Sequence, residues 1–114
     1  MHELGIATTI LEVVRTEAQQ TPGSRLVAVG LKLGELSGVD PDALSFCFET
    51  LVKESELVPI ELVIERTRRR HRCPSCERAF DVVDYEVACP DCGEPKTEMI
   101  GGDEMEIVYI EVDD

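Results

Sequence analysis

Two matched cysteine pairs constrain this chain more than any other feature: Cys73-Pro74-Ser75-Cys76 and Cys89-Pro90-Asp91-Cys92, with residues 77–88 between them. Two C-x-x-C knuckles at this distance read as a tetrahedral four-thiolate zinc site, a zinc ribbon. The two residues inside each knuckle let the backbone turn beneath the metal, so that each pair presents two thiolates to one ion. The shared C-P-x-C form strengthens the reading. A redox role for C-x-x-C is the weaker reading, because four converging thiols favour metal.

Length and composition bound the rest. A chain of 114 residues is one compact domain, or one small domain carrying a metal-stapled insert. With 4% aromatics and no Trp, its core must be aliphatic. At this size a structural metal is a common support. The balance of 24 acidic against 11 basic residues, a net charge of −13, argues against a nucleic-acid partner. One basic run exists, Arg66-Thr67-Arg68-Arg69-Arg70-His71-Arg72, at the entrance to the cysteine segment. It reads first as a solvated hinge that balances nearby carboxylates, and second as a docking patch for an acidic partner or RNA. No apolar run is long enough to span a bilayer, and the N-terminus lacks the basic-then-apolar pattern of a signal peptide. A cytoplasmic protein with no membrane partner is expected. In that reducing compartment, paired cysteines are metal ligands rather than disulfides.

The remaining segments predict an α+β fold. Residues 1–20 carry an amphipathic helical pattern, with Leu4, Ala7, Leu11, Val14 and Ala18 on one stripe, widened by Ile6, Ile10 and Val13. Thr21-Pro22-Gly23-Ser24 ends it. Residues 25–33 alternate as a strand, with Val27, Val29, Leu31 and Leu33 on one face. Asp40-Pro41 opens a second helix as cap and first-turn proline, running to about Ser55 with Leu44, Cys47, Phe48 and Leu51 inward. That stripe makes Cys47 a small core residue. Residues 59–67 form a second strand and 105–112 a third. The simplest geometry pairs these two as antiparallel neighbours, a hairpin tipped by the ribbon, with Gly101-Gly102 as the exit hinge. The expected architecture is two helices packed on a small three-stranded mixed sheet with an inserted zinc-ribbon domain. The domains would be 1–67 with 102–114, and 68–101.

A second metal candidate is the N-terminus, Met1-His2-Glu3. A His at position two places the terminal amine, its own amide and its imidazole close together. Such nitrogens suit Ni(II) or Cu(II) in a tetragonal arrangement. The helical pattern begins almost at once, so His2 would sit on an ordered helix end. A closed four-thiolate site has no open position for a transferable ion.

The opening Met1-His2-Glu3-Leu4, the amphipathic helix, the stretch Gly34-Glu35-Leu36-Ser37-Gly38-Val39, the paired C-P-x-C motifs and the final strand together resemble the HypA/HybF family, nickel metallochaperones of [NiFe]-hydrogenase maturation. The resemblance covers essentially the whole chain. It implies Ni(II) as transient cargo at Met1, His2 and Glu3, with His2 giving imidazole and amide nitrogen and Glu3 chiefly its amide. Asp40 matches an acidic position also associated with nickel, although its helix-cap role is sufficient by itself. The resemblance implies a structural Zn(II) on Cys73, Cys76, Cys89 and Cys92. It implies a GTPase partner, HypB, and delivery to the hydrogenase large subunit, with urease a further recipient in some members. The chain departs from the pattern at Glu77, where a glycine commonly follows such a knuckle, as Gly93 does in the second. A single histidine, His71, flanks the cysteines, so acid-dependent changes of zinc ligation seen in some relatives are not carried over.

The reading is a metal carrier, not an enzyme, with no catalytic residues. Its rival is a zinc-ribbon binding module for nucleic acid or the transcription machinery. Against the rival stand the net charge and a ribbon whose only aromatic residues are Phe80 and Tyr85.

Overall fold

A computed structural model describes residues 2–57 and 59–113. The elements in chain order are α1 (Glu3–Gln20), β1 (Arg25–Gly34), α2 (Pro41–Lys53), β2 (Glu61–Thr67), β3 (Arg70–Arg72), β4 (Ala79–Asp81), β5 (Glu98–Gly101) and β6 (Met105–Asp113). One mixed sheet has the order β2-β1-β6, and a second, in the cysteine segment, has the order β4-β3-β5. The expected α+β architecture is therefore present.

The expected hairpin is not. β2 and β6 do not pair with each other; both flank β1, which runs parallel to β2 and antiparallel to β6. The reason lies in composition. β1 is buried along most of its length, including Leu26, Val29, Leu31 and Leu33. β2 and β6 carry Glu61, Glu65, Glu106 and Glu111, and such charged residues suit an edge strand. A parallel β1–β2 pair needs a long crossover, which α2 supplies.

Helix α1 buries Ala7, Ile10, Leu11 and Val14. Val13, expected to widen this stripe, is exposed. It lies about 120° around the helix from Ala7 at 100° per residue, outside the buried arc. Leu4 is 56% exposed, so the buried face starts one turn later than its spacing suggests. In β1 the pairing with β6 slips between Leu26 and Ala28. This irregularity turns Leu26 into the core in place of Val27, which is half-buried and outside the core cluster. In α2, Leu44, Phe48 and Val52 are buried, and Cys47 packs partly buried against the core. Asp40 caps this helix: its Oδ1 accepts from the N–H groups of Asp42 (3.0 Å) and Ala43 (3.4 Å).

The molecule is elongated, 55 × 27 × 15 Å, with a radius of gyration of 17.9 Å. A compact chain of this length would give about 13 Å. Two separate hydrophobic clusters account for the difference. One lies between the helices and the first sheet; the other joins Cys73, Phe80, Val82 and Cys89.

The chain crosses between these lobes twice, beside the end of β1. Gly34 donates its N–H to Glu104 O (2.8 Å), Glu35 to Thr67 O (2.9 Å) and Leu36 to Gly102 O (2.7 Å). Glu104 Oε1 accepts from Thr67 Oγ1 (2.9 Å) and from the N–H of Gly102 (2.6 Å). A Cβ on Gly34 would lie 2.2 Å from the carbonyl of Gly102, and one on Gly102 (φ +109°) would lie 2.5 Å from Cα of Arg69. The Gly101-Gly102 pair, expected as an exit hinge, is thus a close-packed, hydrogen-bonded junction. Gly34→Ala is expected to cost about 1–3 kcal/mol through this overlap. Gly5→Ala, in α1 with open space around it, is expected to stabilise by about 0.5–1 kcal/mol. Urea denaturation of both variants measures the contrast.

Candidate metal centre

The two knuckles are near copies. In the first, Cys73 N–H donates to Arg78 O (2.9 Å) and Glu77 N–H to Cys73 O (2.8 Å). In the second, Cys89 N–H donates to Glu94 O (2.9 Å) and Gly93 N–H to Cys89 O (3.0 Å). The residue after each knuckle is left-handed: Glu77 at φ 66° and Gly93 at φ 79°. Glu77 therefore adopts the glycine-type geometry, at a cost of roughly 1 kcal/mol, and its carboxylate pairs with Arg72 at 2.7 Å. Arg78–Asp91 (2.8 Å) and Ser75–Glu94 (3.2 Å) tie one knuckle to the other.

This backbone brings the four Sγ atoms within 4.8 Å of one another. Cys73–Cys92 and Cys76–Cys89 are 3.5 and 3.6 Å apart. These are not disulfides, which need about 2.0 Å. A tetrahedron with metal–sulfur bonds of about 2.3 Å has edges of about 3.8 Å, so the sulfurs already lie near the corners of such a site. Cys73 and Cys89 are buried; Cys76 and Cys92 are exposed. The electrostatics fit a cation. The N–H groups of Cys92 and Asp91 hold the Cys89 thiol down to about 7. At Cys92 the amide of Glu94 pulls downward, but the crowded sulfurs of Cys73 and its neighbours push the thiol up to about 12. Four thiolates at this spacing repel one another unless a dication sits among them.

His71 lies beneath the ribbon, 4% exposed. Arg69 Nε donates to its Nε2 (3.1 Å), which leaves Nδ1 to carry the proton and donate to Thr97 Oγ1 (2.8 Å). Thr97 in turn donates to Val87 O. Burial, followed by the charge of Arg69, lowers the imidazole's pKa, so it stays neutral as this network requires. The sequence marked His71 only by its distance from Cys73; nothing in it signalled Thr97 as a partner.

At the other end of the molecule, His2 is the N-cap of α1 with extended backbone, and its side chain makes no capping bond. Its carbonyl accepts from Ile6 N–H at 3.2 Å. Glu3 Oε2 accepts from the N–H of Asp40 at 3.1 Å, joining the starts of the two helices. That bond, more than any other influence, holds the Glu3 carboxyl below its ordinary pKa. Glu3 and Asp40 thus meet, although 37 residues apart, a contact the spacing does not reveal. His2 borders a groove of about 560 Å³ with Ile6, Ile10, Leu31 and Ile107. Met1 lies outside the described residues. Among the described residues, the only convergence of three or more side-chain metal donors is the cysteine set. No described helix is long and apolar enough to cross a membrane.

Fold and site together define a small two-lobed metal-binding protein, an α+β lobe carrying a four-thiolate ribbon. The family model described as hydrogenase/urease nickel incorporation, metallochaperone, HypA matches residues 1–112. The chain belongs to this HypA family. The family description names a carrier rather than a catalyst, as expected from the sequence. Among its relatives is the hydrogenase maturation factor HypA of Geobacter metallireducens, 39% identical over 113 residues, 99% of this chain and 100% of the relative. The Streptomyces avermitilis counterpart is 37% identical over 116 residues, 100% of this chain and 88% of the relative. The fold is shared with the solution structure of the Ni metallochaperone HypA from Helicobacter pylori (TM-score 0.63, 22% identity, 97% of each chain). A further solution structure of a HypA protein gives a TM-score of 0.71 at 23% identity, covering 97% of this chain and 95% of that one.

Two outcomes follow. Cys73→Ser removes a buried thiolate, and the purified chain is expected to lose its bound metal and the amide-exchange protection of β3–β5; metal analysis and hydrogen exchange check this. Because folding depresses the Glu3 pKa, the Glu3–Asp40 tether stabilises the fold above the ordinary carboxyl range and is lost as pH falls through the lowered value. The Glu3 carboxyl carbon, followed by NMR, is expected to titrate below 4.5.

Proposed function

We propose that this chain carries Ni(II) for hydrogenase maturation and that its two ends divide the metal chemistry. The cysteine ribbon holds a structural Zn(II). The N-terminus holds the transferable Ni(II). The observation that carries this reading is the family match across residues 1–112, which runs through Met1, His2 and Glu3.

The local geometry supports a division of labour among the N-terminal donors. The Glu3 carboxylate is engaged by the Asp40 N–H, so Glu3 contributes its amide nitrogen. The Asp40 carboxylate is engaged in capping α2 and serves nickel only when it releases that role. The His2 imidazole makes no capping bond and is the N-terminal side chain left to bind. The amides of His2 and Glu3 stand at a helix start, where N–H groups have no intrahelical acceptor. Together with the Met1 amine they complete a nitrogen-rich set suited to Ni(II).

Transfer is ligand exchange to a better site on the acceptor. We assign HypB as the GTPase partner and the [NiFe]-hydrogenase large subunit as the recipient, with urease as a second destination of the same cargo. The two functional domains are residues 1–67 with 102–114, and 68–101. The reducing cytoplasm is the compartment that keeps paired thiols available for metal.

The test is nickel titration of untagged protein by calorimetry. Wild type is expected to bind one Ni(II) and to bind it more weakly on acidification, because the ligands must lose protons. His2→Ala is expected to abolish that binding while leaving zinc content unchanged. Unaltered nickel affinity in His2→Ala refutes the assignment.

A further inference from the structure

The neck between the lobes carries a feature that nickel binding does not use. Two adjoining cavities, of about 270 and 450 Å³, share Glu35, Val82 and Asp84 in their walls. Arg66 and Arg68 line one; Arg69 and Tyr85 line the other. Of the five arginines elsewhere, four, Arg15, Arg70, Arg72 and Arg78, pair with carboxylates at 2.7–2.9 Å. Among the described residues Arg66, Arg68 and Arg69 make no such pair. Unpaired guanidinium groups gathered in one cleft of a chain with net charge −13 are poorly explained as solubilising charge.

Arg69 is also preorganised. Its N–H is held by Glu35 Oε1 (2.7 Å) and its Nε by His71 (3.1 Å). That leaves its two terminal nitrogens as a fork matching a carboxylate. Beside it stands a tight turn closed by Glu86 N–H to Val83 O at 3.0 Å. Asp84 (φ 52°) and Tyr85 (φ 63°) both occupy the left-handed region, where Asn-Gly is usual. Tyr85 is 85% exposed. A strained turn that holds a bare aromatic against an arginine cleft contributes little to folding, whereas Tyr and Arg are the residues that dominate protein interfaces.

We propose that the neck cleft docks an acidic segment of a partner protein, its carboxylates on Arg66, Arg68 and Arg69 and its side chains against Tyr85. A short carboxylate-bearing peptide fits because the positive region is local. A nucleic-acid backbone would run on into the surrounding negative surface, and one aromatic is no stacking platform. The segment would touch both lobes and so fix their relative position. This inference does not rest on the nickel assignment.

The test is an NMR titration of ¹⁵N-labelled, metal-loaded full-length chain with a capped tetraglutamate peptide, its tetraglutamine analogue and octathymidylate. Tetraglutamate is expected to give saturable shifts confined to the amides of residues 66–72 and 82–86, and tetraglutamine none. Arg66→Glu with Arg68→Glu is expected to weaken binding on the order of tenfold while keeping the wild-type unfolding curve. Should that pair unfold the chain, Arg68→Gln alone is expected to give a smaller loss at the same amides. Absence of saturable shifts, shifts insensitive to these substitutions, or tighter binding of octathymidylate overturns the proposal.

Discussion

Burial of β1 between two edge strands governs the rest of the molecule. Its apolar residues require cover on both edges and on the helix-facing side. Meeting that requirement sends β2 and β6 to opposite edges and makes α2 the crossover. It also brings the two chain crossings to the ribbon together beside Gly34. The cysteine lobe is therefore anchored at the end of a central strand, through close backbone contact, and not hung from the tip of a hairpin.

The same constraint keeps apart the cysteine set and the N-terminal residues proposed to hold nickel. The thiolates gather in the insert, where backbone turns and cross-knuckle pairs set their spacing without help from the first lobe. His2, Glu3 and Asp40 stand where α1 and α2 begin, with Glu3 on the Asp40 amide. A four-thiolate site is closed, which suits permanence. A helix start with an uncapped histidine is open, which suits exchange. On the proposed assignment, resident and transferable metal would be told apart by where each donor set sits in the fold.

Much of this was legible in the sequence, for identifiable reasons. The knuckles were legible because metal spacing is local: four residues fix each pair. The Asp40-Pro41 helix start was legible because capping is a matter of adjacent residues. Strand order was not, since β1–β6 and β1–β2 pairing are decided by competition among distant strands for the central place. Val27 lost its expected place to a slip in register, which leaves no mark in an alternating pattern. The Glu3–Asp40 and Thr67–Glu104 contacts each join residues 37 apart, beyond the reach of periodicity. The arginine run was visible as charge, but that three of its members form no ion pair with the described carboxylates is a fact of three dimensions.

On the proposed reading, one protein holds two metals by two different donor sets. X-ray absorption at the zinc and nickel edges of the same untagged, nickel-loaded sample distinguishes the two donor sets. Zinc is expected to be surrounded by sulfur alone, at about 2.3 Å, and nickel only by nitrogen and oxygen, including imidazole. Sulfur in the nickel shell, or nickel displacing zinc from the cysteines, would contradict it.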